Sequence, residues 1–187
     1  PSAQLTGEGL AWLTVPVRVK GNYHQRIRDV QLADWSWTRA HWETIRHAHA
    51  KAPHLSTLKD VIGPTLLGPS ITWLSELNRS LLQAVLDHLR INTKITSSSD
   101  YTLVEGKTDR LVDLCRQVGA GEYLSGPSAK EYIEPYLFDR AGIGLRFADY
   151  SGYPEYPQLF PPFEHGVSVI DLIANTGPDA LRYMVEV

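Results

Sequence analysis

A single cysteine, Cys115, stands among the 187 residues, so no internal disulfide can form, which agrees with a reducing compartment. Neither sign of charge is in excess. With 18 basic against 21 acidic residues and a formal net charge of -3, no global field would hold nucleic acid or an anionic membrane, so any phosphate must be held locally. No apolar run approaches the roughly 18 residues of a membrane-spanning helix, and no signal-peptide pattern is read at the start. The expectation is a cytoplasmic protein with no nucleic-acid partner and no membrane insertion. No zinc pattern is present either: His41, His47 and His49 do not fall at the four-residue spacing that puts two ligands on one helix face. No metal is expected. The chain begins at Pro1 rather than methionine, and 1–9 reads as small, polar and loop-like; the expectation is that a first strand lies outside this chain, and with it one ligand-binding edge of an open α/β sheet.

What is present is globular. Hydrophobic residues make up 43% and charged residues 21%, close to the average of a single folded domain. Over 10–17, Leu13, Val15 and Val17 alternate as a strand, with Pro16 favouring an edge or an end. A turn is read at Gly21 and Asn22, after which 26–32 is expected to pair back on Ile27, Val30 and Leu32. A helix is expected over 34–52, on Trp35, Trp42, Ile45, His49 and Ala52, and another over 71–90, on Leu74, Leu77, Leu81, Val85 and Leu89. Gly63, Pro64, Gly68 and Pro69 read as punctuation between them. After Arg90, extended and helical patterns alternate: 91–96 extended, 107–118 helical, 122–124 extended, 127–140 helical, 143–147 extended and 167–175 helical. This order predicts an α/β fold, an open and mostly parallel sheet with flanking helices. The whole chain, 1–187, is expected to be a single domain, with a helical insertion or cap over 34–90 and a β-α-β core over 91–187.

Four places invite chemistry. Tyr123 to Lys130 reads as a strand end, a small-residue turn and a helix opening on Pro127; Ser125, Gly126 and Ser128 either cradle an anion at free backbone amides or make an ordinary turn. Glu105 to Arg110 also opens a helix, and Lys107 and Arg110 at its positive end either answer an anion, with Thr108 bonding it too, or are solvated and paired with Asp109 or Asp113. Tyr156 and Gln158, in a stretch crowded with Tyr150, Tyr153, Pro154 and Phe160, suit recognition of a ring or sugar, or simply cover a sheet edge. Asp171 and Asn175 share one face of an otherwise apolar helix, where the carboxylate either orients an amine, a ribose hydroxyl or Lys107, or is satisfied by backbone. Cys115, beside Leu111, Leu114 and Val118, reads as a core residue rather than a nucleophile.

Taken in order, the segments Trp12-Leu13-Thr14-Val15-Pro16-Val17, Lys107-Thr108-Asp109-Arg110-Leu111, Tyr123-Leu124-Ser125-Gly126, Tyr156-Pro157-Gln158 and Ser168-Val169-Ile170-Asp171-Leu172 resemble the signature blocks of the WbqC-like family over nearly the whole chain. Members of that family begin with a strand carrying a His-Gln-Pro stretch and a nearby Pro-Trp, and nothing in this chain matches it. The family is associated with bacterial surface-polysaccharide gene clusters, including O-antigen clusters, and some members have been proposed as glycine transferases. The resemblance therefore implies a transferase of polysaccharide biosynthesis, with glycine or aminoacyl transfer to an amino sugar as the reaction. On that reading Asp171 and Lys107 are the catalytic candidates. Thr108, Arg110, Ser125, Gly126 and Ser128 would hold an anionic, nucleotide- or phosphate-bearing substrate; Tyr156 and Gln158 would meet the acceptor, and Asn175 is a further substrate-binding candidate. No cofactor is expected, and a nucleotide is left open. A non-catalytic ligand-binding or accessory protein of such a pathway is the alternative, and a purely structural role, with the first two helices as a partner surface, is a third.

Overall fold

The computed structural model describes residues 2–7, 9–19, 21 and 24–184, and in these the chain forms four strands and six α-helices. The fold is of the α/β class. Two compact units divide it: unit 1 comprises Pro1–Asn92 and Pro154–Met184, and unit 2 comprises Thr93–Tyr153 with the terminal Val185–Val187, which lie outside the described residues.

Unit 1 opens on a hairpin. Strand β1 (Ser2–Thr6) pairs antiparallel with β2 (Gly9–Leu13), in a register running from Ser2↔Leu13 to Thr6↔Gly9. The stretch read as a loop is therefore a strand: its residues show no apolar alternation, and pairing with β2 supplies the order that pattern did not announce. Gly9 takes a φ of 103°, which a side chain would resist, and the Thr6 hydroxyl donates to its carbonyl at 2.7 Å. The segment expected to pair back does so in a short bridge, Val17↔Leu32, with Arg18 N donating to Gln31 O and Ala33 N to Pro16 O. Its other side bridges Gln31↔Trp73. Of the turn read before it, Asn22 lies outside the described residues.

Helix α1 (Trp37–Ala48) buries Trp37, Trp42 and Ile45, and α3 (Leu74–His88) buries Leu77. Between them stands a helix that Gly63 and Pro64 concealed, α2 (Leu55–Leu67). An internal proline removes one ladder bond and costs about 3 kcal/mol. Leu58, Ile62 and Leu66, one turn apart and at most 5% exposed, outweigh that at roughly 1.5–3 kcal/mol each. They share a core with α1, Leu77, and Ile170 and Ile173 of helix α6 (Val169–Thr176).

Unit 2 is a β-α-β arrangement. Helix α4 (Lys107–Val118) ends on Gly119, left-handed at φ 68°, and leads to β3 (Glu122–Ser125). A 3₁₀ turn over Pro127–Glu131 and helix α5 (Pro135–Ala141) then carry the chain to β4 (Gly144–Phe147), which pairs parallel with β3 from Glu122↔Gly144 to Ser125↔Phe147. Sequence periodicity joined 127–140 into one helix. Pro135 divides it, because the residue before a proline is driven out of the α region, and Glu134 is extended at φ -98° and ψ 97°. Residues 91–96, expected extended, join no strand. Val112, Cys115, Phe138 and Ile143 fill the core of this unit.

Candidate functional site

Helix α6 is apolar enough to be buried on all sides, and every residue from Ile170 to Thr176 is inside. Asp171 is therefore cut off from water at 3% exposure, and its carboxylate must be met by protein donors. Three side chains meet it. His49 Nε2 lies 3.0 Å from Oδ1, the Tyr156 hydroxyl donates to Oδ2 at 2.8 Å, and Gln158 Nε2 donates to Oδ2 at 3.2 Å.

The proton count in this network follows from its acceptors. His49 Nδ1 stands 2.9 Å from the Ile45 carbonyl, which can only accept, so that nitrogen carries a hydrogen. Its Nε2 faces a carboxylate that already takes two donors on its other oxygen. An imidazolium against an ionised Asp171 satisfies all four contacts; the neutral alternative needs the acid proton on Oδ1. Burial pushes the Tyr156 phenol well above its usual range, with the Asp171 charge adding to the effect and the Gln158 bond opposing it, so the group acts as a donor at neutral pH.

Gln158 also ties down the loop. Its Nε2 donates to Glu164 O at 2.9 Å, and its Oε1 accepts from Glu164 N at 2.8 Å. Phe163 sits edge-on to Tyr156 with ring centroids 5.0 Å apart, His165 packs on Phe163, and Tyr183 closes on Tyr156 from the last described turn. The result is an aromatic and amide surface held from beneath by one buried carboxylate. Asn175 serves the helix instead: its Nδ2 donates back to Asp171 O at 2.8 Å, while Oδ1 is buried with no partner among the described residues.

In unit 2, Lys107, Thr108 and Arg110 stand in the first turn of α4, while Ser125, Gly126 and Ser128 lie at and just after the end of β3. Thr108, 1% exposed, accepts a bond from Glu134 N at 3.1 Å and so fastens the first turn of α4 to the segment that leaves β3. Lys107 places its ammonium 5.9 Å from the Tyr132 ring centre, and Arg110 Nε donates to Val104 O at 3.0 Å. Asp109 folds toward Gly106, the residue that opens the helix at φ 92°, and brings a carboxylate of the chain's own to the positive helix end. At the end of β3, Ser125 O accepts from Ala148 N and Gly126 O from Ala129 N; Ser125 and Gly126 are half-buried and Ser128 is exposed.

Sequence reasoning named Asp171, Tyr156 and Gln158 separately, and the fold brings them into direct contact. It missed His49 as their partner, along with Phe163, Glu164, His165 and Tyr183. One signal for His49 was present, a histidine that continues the apolar stripe of α1 at its C-terminal cap. Among the described residues, no group of three or more His, Cys, Asp or Glu is placed to hold a metal ion, and no helix is long and apolar enough to cross a membrane.

No solved structure matches the chain. It is 44% identical over 181 residues to the uncharacterized protein Rv1507c of Mycobacterium tuberculosis, an alignment covering 95% of this chain and 78% of that relative. The model of the WbqC-like protein family matches residues 3–183, spanning both units and every residue of the Asp171 network. The chain belongs to the WbqC-like protein family.

Proposed function

We propose that this protein is a transferase of polysaccharide-related biosynthesis that passes an aminoacyl group, glycine in the simplest case, to a sugar-linked amine. Family membership suggests the pathway. The observation that carries the site is the Asp171 network: a buried carboxylate that, backed by His49, fixes Tyr156 and Gln158 in a loop rich in aromatic faces. Holding such groups in place before substrate arrives is what positioning catalysis requires, and aromatic faces beside an amide suit a sugar ring. In the reaction, the acceptor amine attacks the carbonyl of an activated aminoacyl ester. An amide forms, the ester oxygen leaves, and the amine proton passes to a base or to solvent. Incubating the protein with activated glycine and a panel of nucleotide-linked amino sugars, followed by mass spectrometry, tests the reading. An added glycyl group supports it; no product across the panel rejects transfer.

One feature favours the accessory reading, in which the protein binds such a ligand without converting it. Both oxygens of Asp171 are occupied and the residue is sealed from water, so the carboxylate is placed to orient its neighbours rather than to take a proton from substrate. Asp171→Asn separates the two: an enzyme loses turnover far more than affinity, whereas a binding protein has no turnover to lose.

A further inference from the structure

Unit 1 carries a concavity that the Asp171 network does not explain. It is a cleft of about 340 Å³ lined by residues of α1, α2, α3 and the start of α6, with Leu13 and Val15 closing one side. No Asp, Glu, Lys or Arg contributes to the wall, which is aliphatic and aromatic apart from His41, Asn78 and Ser168. The side chains of these three make no hydrogen bond among the described residues. Ser168 occupies the capping position of α6 yet its side chain caps nothing, and His41 is held edge-on against Trp37 with ring centroids 4.7 Å apart. Burial pushes the His41 imidazole below its usual range, so it faces the cleft uncharged at neutral pH.

We propose that this cleft binds a neutral, mostly aliphatic group with one hydrogen-bonding end, such as an acyl chain joined through an ester or amide, or an alkyl alcohol. A charged head would find no counter-charge in the wall and would lose its hydration. A neutral hydroxyl, ester or amide finds donors and acceptors in His41, Asn78 and Ser168, while the chain lies along Leu66, Leu81 and Val85. The size fits the small end of ligand pockets: at roughly 30 Å³ per water-sized group, the space holds about eleven such groups.

Calorimetric titration of the whole protein with 1-hexanol, 1-octanol and 1-decanol, with octanoate as the charged control, tests this. Saturable one-site binding is expected to tighten about fourfold per added methylene until the cleft is full. Octanoate should bind more weakly than 1-octanol. Val85→Phe, which adds volume at a half-buried wall position, should weaken binding at least tenfold, and Asn78→Leu, at an exposed position that tolerates change, should narrow the preference for alcohol over acid. The proposal is overturned by an absence of saturable binding, by octanoate binding as well as octanol, or by undiminished binding in the Val85→Phe protein. It is also overturned if the cleft is covered by a second copy, seen as a dimer that Leu82→Glu dissociates and that excludes the alcohols. None of these outcomes depends on transferase activity.

Discussion

At Asp171, burial has removed water as an alternative partner, so each group in the network depends on the others. Replacing the carboxylate alone leaves the His49 Nε2 side, the Tyr156 hydroxyl and one Gln158 bond without an acceptor. Asp171→Ala is expected to cost about 3–5 kcal/mol. In a chain of this length that lowers the melting temperature by roughly 2–4 °C per kcal/mol. His49→Phe combined with Asp171→Leu should recover part of the loss, since an apolar pair strands no charge; a single substitution with no thermal effect would contradict the burial argument. Tyr156 gives the network a pH signature. Its phenol is raised in the folded state, so above the ordinary tyrosine value of about 10 the unfolded chain holds fewer protons than the folded one. Stability is therefore full below that pH and falls as pH rises beyond it. Urea unfolding midpoints should decline across that alkaline window, and less steeply in Tyr156→Phe.

Helix α4 shows how far an element can be read from its ends. Gly106 at φ 92° and Gly119 at φ 68° bracket an amphipathic run, and the sequence reading gave the observed bounds of 107–118. A Cβ at Gly106 would enter a region that only glycine adopts easily and would collide with the Asp109 carboxylate, so Gly106→Ala should destabilise unit 2 by about 1–3 kcal/mol. Cys115 reports the result. It faces the core of that unit at 6% exposure, and burial raises its thiol above the usual range, so labelling should be slow in the folded protein and faster in Gly106→Ala. Equal labelling rates in the two proteins would refute the strain assigned to Gly106. Elements without such punctuation were less legible. Helix α2 hid behind Gly63 and Pro64 because local propensity opposes a helix there and only tertiary burial of Leu58, Ile62 and Leu66 overrides it. The site divides in the same way: a carboxylate in the apolar 169–176 run is conspicuous alone, whereas its histidine, 122 residues earlier, is joined to it only by folding.

At the scale of the whole molecule, the two units carry separate cores and, by chance of sequence, separate probes. All five tryptophans lie in unit 1 and the single cysteine in unit 2. Chemical unfolding followed by tryptophan emission and by Cys115 labelling should give two curves rather than one. Phe138→Ala, at a position fully buried in the core of unit 2, should shift the labelling curve by about 3–5 kcal/mol and leave emission in place. Coincident shifts in both would mean that the units unfold together. The interrupted course of unit 1 bears on how the protein is made. The ribosome delivers His49 first, then Thr93–Tyr153 of unit 2, and only afterwards Asp171, an interval of about 6–24 seconds at roughly 5–20 residues per second. Unit 2 can close on its own local contacts within that time. Helices α1, α2 and α3 cannot finish, because Ile170, Ile173 and the partner of His49 are still to be synthesised. The nascent chain therefore spends its longest pause with the apolar half of unit 1 uncovered, which makes that half the expected point of contact for chaperones and the first region where slow translation would cause loss of product.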